Sequence, residues 1–104
     1  MQPVIALSTI DSHEGASTLA TGMVSAKLAA CVNIVPGVTS VYEWQGKIEQ
    51  AAEYLLVIKT TPDRFEALKA WISRHHPYDC PELVAVEITD GLPDYLQCLS
   101  RASG

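Results

Sequence analysis

Residues 31–61, CVNIVPGVTSVYEWQGKIEQAAEYLLVIKTT, decide how the rest of the chain is arranged. The run is rich in valine, isoleucine and aromatics and breaks at Gln45-Gly46, the pattern of a β-hairpin. From Val32 to Trp44 the first strand would span roughly 40 Å at about 3.3 Å per residue. A compact globule of this size has a radius of gyration of about 13 Å and is roughly 33 Å across. The hairpin is therefore expected to outrun its own domain. Pairing back from the turn sets Trp44 across from Lys47 and Tyr42 across from Glu49 on one face. Val41 and Ile48 then lie near the tip on the other. Aromatic and β-branched residues at a solvent-facing end call for a second surface to cover them. Pro36-Gly37 marks a bend or bulge, because proline cannot donate a ladder hydrogen bond. Two readings follow: an arm that completes the sheet of a neighbouring subunit, or a bent hairpin folded back on its own core. The first is carried forward.

The 104 residues, 48% hydrophobic and 18% charged, suit one domain over 1–104 with its own core. A net charge of −5 lacks the clustered Lys and Arg of a nucleic-acid footprint. Cys31, Cys80 and Cys98 are odd in number and widely spaced, with no CxxC or zinc-type spacing. Reduced thiols are expected. The N-terminal MQPVIALST has no basic segment followed by a long apolar run, and no stretch reaches transmembrane length. A soluble cytoplasmic protein without membrane insertion is the expectation.

Flanking the hairpin, Pro3 to Ile10 reads as a central strand covered on both faces. A helix follows to about Ala29, capped by Asp11 with Glu14 or by Ser12, with Ala16, Leu19, Ala20, Met23 and Ala30 on one side. In the return strand of the hairpin, Tyr54, Leu56 and Ile58 share one face and Leu55 and Val57 the other. Thr61-Pro62 starts a second helix with Phe65, Leu68 and Ile72 as its apolar stripe, ending at His75-His76 before Pro77. Leu83 to Ile88 is a fourth strand, Pro93 opens a last short helix, and residues 101–104 are expected to fray. The order is βαββαβ plus a terminal helix: an α+β, ferredoxin-like fold with two helices on one face of an antiparallel sheet. Its other face asks for oligomerisation.

For chemistry, His75-His76 at a helix C-terminus offers two imidazoles to copper or zinc. Adjacent helical residues diverge by about 100°, so reaching one metal requires a distorted last turn. The alternative is that these histidines only stabilise the helix end. Cys31 is a soft ligand, a nucleophile or a core residue; Cys80 lies in an exposed loop. Glu49 and Glu53 read as the solvated side of a strand, while Glu87 is an acid in an apolar strand and would need a partner if buried. His13 reads as a surface residue.

The succession KLAACVNIVPGVTSVYEWQGKIEQ, IKTT, HHPYDCPEL and ITDGLPDYL resembles the CutA family of divalent-cation tolerance proteins, essentially from Val4 to Leu99. The resemblance implies a homotrimer whose long hairpins brace the neighbouring subunits, placing Val41, Tyr42, Trp44 and Ile48 at the interface. It implies copper binding, tolerance of divalent metals and no catalysis. The family's proposed copper ligands fall on Ser8, His75 and His76. Metal-binding members carry cysteine at the Ser8 position, and a hydroxyl is a poorer ligand than a thiolate for Cu(I). Cys31, which matches a cysteine of relatives, is the substitute donor if it lies close by. Two rivals stand beside the metal-binding trimer: a small-ligand-sensing signalling trimer of the PII type, and an enzyme using Cys31 or Cys80 with a histidine.

Overall fold

The 31–61 stretch folds as an extended hairpin of two 14-residue strands, β2 (Cys31–Trp44) and β3 (Lys47–Thr60). Gln45 and Gly46 form its turn with φ of 50° and 80°, the left-handed pair that matches strand twist in a two-residue loop. Tyr42 faces Glu49 and Trp44 faces Lys47, as the sequence predicts. The register shifts between Val35 and Val38, where β2 spends one residue more than β3, with Gly37 at φ 75°. The computed structural model describes residues 2–103. Its long axis of 45 Å and radius of gyration of 14.3 Å exceed those of a compact chain of this size, because the hairpin projects.

Around the hairpin the chain lays down β1 (Val4–Ile10), α1 (His13–Ser25), α2 (Pro62–His75), β4 (Val84–Glu87) and α3 (Pro93–Ser103). The sheet is antiparallel throughout, in the order β2-β3-β1-β4. Register places Ala6, Ser8 and Ile10 of β1 on one face with Leu56 and Ile58 of β3. Helices α1 and α2 close this face with Ala16, Leu19, Met23, Leu68 and Ile72, which complete the core. The opposite face carries Leu7, Val35, Leu55, Val84 and Val86 by the same alternation. Helix α3 lies against β3 there, with Leu99 buried, while Val35, Val84 and Val86 stay exposed.

Several boundaries differ from expectation. Ser12, not Asp11, caps α1, its hydroxyl accepting from Gly15 N–H at 3.0 Å. The helix stops at Ser25 rather than near Ala29. Lys27 adopts φ 62°, Lys27 N–H donates to Val24 C=O and Leu28 N–H to Met23 C=O. This is a Schellman turn with lysine where glycine is usual, which is why the sequence gives no stop signal. Thr61 precedes α2 as expected, yet its hydroxyl bonds the Asp63 carboxylate rather than a helix N–H, holding that acid below its ordinary range. Strand β4 is a four-residue edge, so Glu87 is exposed and needs no buried partner. Residues 101–103 continue α3 instead of fraying; Gly104 lies outside the described residues.

Candidate functional site

The two adjacent histidines part company at the end of α2. His75 is the last helical residue, and His76 is the C-cap with extended ψ of 135°. The backbone leaves the helix between them. His76 is buried under the end of β1: its Nε2 lies 2.8 Å from the Thr9 carbonyl, and its Nδ1 takes the Tyr78 N–H at 3.1 Å. A carbonyl only accepts and an N–H only donates, so Nε2 carries the proton and Nδ1 is bare. His76 is thus a neutral imidazole with both nitrogens engaged, tying the 76–78 turn to β1. Tyr78 packs edge-on against it at 4.6 Å between centroids.

His75 is exposed and points back along α2. Its Nδ1 lies 2.8 Å from the Trp71 carbonyl, and its ring stacks on the Trp71 indole at 4.2 Å and 18°. Nδ1 therefore holds the proton, leaving the Nε2 lone pair free in the neutral ring. This is the arrangement of metal-binding imidazoles: one nitrogen oriented by a carbonyl, the other presented. Trp71 is seated against Gly22 of α1, where a Cβ would come within 2.7 Å of the indole. Small residues on α1 thus let the Trp71–His75 pair settle into a groove with Thr18 and Ala26.

Ser8 lies in the helix-facing layer of β1 with no exposure, and its Oγ has no hydrogen-bond partner. Cys31 pairs with Lys59 and so faces the opposite side of the sheet from Ser8, which pairs with Leu56. Cys31 therefore does not stand in for Ser8. Among the described residues no group of three or more His, Cys, Asp or Glu side chains is placed to hold a metal ion. Of the donors implied by the resemblance, His75 alone presents a free lone pair to solvent; Ser8 is sealed and His76 is committed to the backbone.

A second site was missed in sequence. Glu53, expected on a solvated strand face, is 8% exposed and accepts from the Tyr78 hydroxyl at 2.7 Å. Burial and the neighbouring Glu53 carboxylate push the Tyr78 hydroxyl above its ordinary pKa of 10.0, with Asp11 and Tyr42 adding to the effect. These groups border a cleft of about 950 Å³ between the hairpin and the 78–82 loop. Its only sequence signal was the pair of prolines that stiffen this loop.

The family model of the CutA1 divalent ion tolerance protein matches residues 4–102. The chain belongs to this family. A divalent-cation tolerance protein CutA from Thermus thermophilus is 46% identical over 100 residues, covering 96% of this chain and 97% of the relative. The chloroplastic CutA of Arabidopsis thaliana is 43% identical over 100 residues, covering 96% of this chain and 55% of the relative. The crystal structure of CutA from Xylella fastidiosa superposes with a TM-score of 0.96 at 36% identity, covering 100% of both chains. The CutA resemblance read from the hairpin and HHPYDCPEL is thereby confirmed. No helix among the described residues is long and apolar enough to cross a membrane.

Proposed function

We propose that the chain is a single ferredoxin-like domain that assembles as a cytoplasmic homotrimer and serves divalent-cation tolerance by binding copper, or zinc, without catalysis. The strand order with α1 and α2 on one face supports the fold reading. Uncovered apolar surface supports the assembly. Trp44 is 61% and Ile48 71% exposed, beside Val41 and Tyr42 at the tip and Val84 and Val86 on the edge strand. Unpaired Cys31, Cys80 and Cys98 suit a reducing compartment.

The observation that carries the metal reading is the His75 imidazole, oriented by the Trp71 carbonyl with Nε2 free. One imidazole is a weak site, so further donors have to come from a sister chain or from water. His76 joins only by releasing Thr9 and Tyr78, and Ser8 only if β1 opens. Calorimetric titration of Cu(II) and Zn(II) tests this: His75→Ala should remove most of the heat and His76→Ala should retain it. Equal heats for wild type and His75→Ala would remove the site. Light scattering tests the trimer, with Trp44→Ala expected to weaken it.

The cleft beside Glu53 favours a second reading, a small-ligand-sensing trimer of the PII type. Thermal stability rising with a small organic ligand but not with a metal would favour it. An enzyme built on Cys31 or Cys80 gains no support, since neither histidine of the 75–76 pair is turned toward a thiol in a hydrogen bond.

A further inference from the structure

The last turn of α2 is shaped by α1. Trp71 and His75 stand four residues apart, so their side chains share one stripe of the helix. The imidazole stacks on the indole at 4.2 Å and 18°, and the indole in turn lies over Gly22 of α1. A Cβ at position 22 would come within 2.7 Å of the indole Cζ2 and 3.0 Å of Cη2. Any larger residue there has to push the indole aside. Thr18, Ser25 and Ala26 border the same hollow with short side chains. All these contacts are made within one chain. They belong to the helical layer, on the opposite face of the sheet from Tyr42 and Trp44.

Two separate constraints therefore act on His75. The Trp71 carbonyl accepts its Nδ1–H at 2.8 Å and leaves Nε2 as the free donor. The main chain supplies that acceptor, so it survives any substitution of residue 71 that keeps the helix. The indole side chain adds what the carbonyl cannot. It fixes the plane of the imidazole and presents the negative face of a π-system to it. An imidazole whose Nε2 takes a divalent cation becomes positively charged, and a charged ring over an indole face is favoured by the ring quadrupole. The neutral ring gains only the stack. The contact is thus stronger in the loaded site than in the empty one, and the difference appears as affinity. Preorganisation acts in the same direction, because a side chain already held in one rotamer has less freedom to lose on binding.

We propose that Trp71, seated on Gly22, is a positioning residue for His75 and sets the affinity of that imidazole for a divalent cation. It offers no donor atom of its own. The inference rests on the reading of His75 as the metal-binding imidazole, and it names what tunes that site. Gly22 acquires a role at the same time: by lacking a side chain, α1 lets the indole lie where the imidazole can stack on it.

The test titrates Cu(II) into the intact protein, in its native assembly, and reads heat and tryptophan emission together. Binding at the site is the part lost in His75→Ala. Trp71→Leu should weaken it about fivefold, while Trp71→Phe, which restores an aromatic face, should stay within about twofold of wild type. Gly22→Ala favours the α1 helix but displaces the indole, and should weaken the site about as much as Trp71→Leu. It carries the test alone should Trp71→Leu fail to fold. Cu(II) quenches a neighbouring indole, so wild-type emission should fall in step with the His75-dependent heat. That fall should be missing in Trp71→Phe, whose one remaining tryptophan is Trp44 on the other face of the sheet. Zn(II), a closed-shell ion, should give the heat without comparable quenching. Equal affinity in wild type, Trp71→Leu and Gly22→Ala overturns the proposal and leaves His75 as a metal ligand. His75-dependent heat without quenching in wild type overturns it too, because the metal then lies away from the indole. No His75-dependent binding in wild type overturns both the proposal and the reading beneath it.

Discussion

Replacing Ser8 with alanine should stabilise the protein, although the position is wholly buried in the central strand. Its Oγ is sealed between the sheet and the helices without a partner. Leaving a buried hydroxyl unsatisfied costs about 1–3 kcal/mol. Deleting the oxygen forfeits a handful of dispersion contacts at about 0.1–0.2 kcal/mol each. The net expectation is a gain of about 1 kcal/mol. Thr60, in the same layer, supplies the control, because its Oγ1 donates to the Leu28 carbonyl at 2.6 Å. Thr60→Val should therefore lose about 1–2 kcal/mol, the bond plus part of the cost of an orphaned carbonyl. Urea denaturation at matched protein concentration reads both, since assembly makes apparent stability depend on concentration. With a slope of about 2 kcal/mol per molar, Ser8→Ala should raise the midpoint by about 0.5 M and Thr60→Val should lower it. A Ser8→Ala loss matching that of Thr60→Val would refute the reasoning, because it would mean that the Ser8 hydroxyl has a partner such as a buried water.

The remaining expectations concern the histidines, the phenol and the missing thiol. His76→Ala removes both ties to Thr9 and Tyr78 and should cost about 3 kcal/mol in urea denaturation, whereas exposed His75→Ala should cost less than about 1 kcal/mol. Tyr78 ionises less readily in the folded chain than its ordinary 10.0, so its contribution is intact below that pH and lost as pH rises toward the folded value. Denaturation midpoints should fall as pH rises above about 10, and Tyr78→Phe should flatten that fall. Ser8→Cys should leave calorimetric copper binding unchanged, because the position has no access to solvent; a gain in affinity would show that β1 opens to the ligand.

What the sequence made legible was local. The Gln45-Gly46 turn, the alternation on either side of it and the Thr61-Pro62 helix start each depend on a few neighbouring residues, and each reappears in the structure. The end of α1 escaped notice because lysine holds a left-handed position that glycine usually advertises. The exposure of β4 escaped because burial depends on what covers a strand, which its own residues do not encode. The histidine pair was legible as chemistry and illegible as geometry: His76 is directed by the Thr9 carbonyl, 67 positions away in the chain.

The acidic cleft joins both kinds of information. Pro36-Gly37 signals a bulge locally, but its consequence appears only when the register is followed past it. Without the bulge, strict alternation along these same residues would put Tyr42 and Trp44 on the face of Ile34 and Leu56. With it, they pair with Glu49 and Lys47 and emerge on the face that carries Glu53. A single position taken out of the ladder thus lets two aromatic rings share the side of the buried Glu53 carboxylate. Deleting Gly37 would close the ladder through Pro36 and Tyr54 and leave Tyr42 and Trp44 opposite Glu49 and Lys47, so it would not turn the rings. The Gln45-Gly46 turn and the alternation of β3 therefore set which face the rings take, and the bulge lets Ile34 keep its place in the core on the same strand.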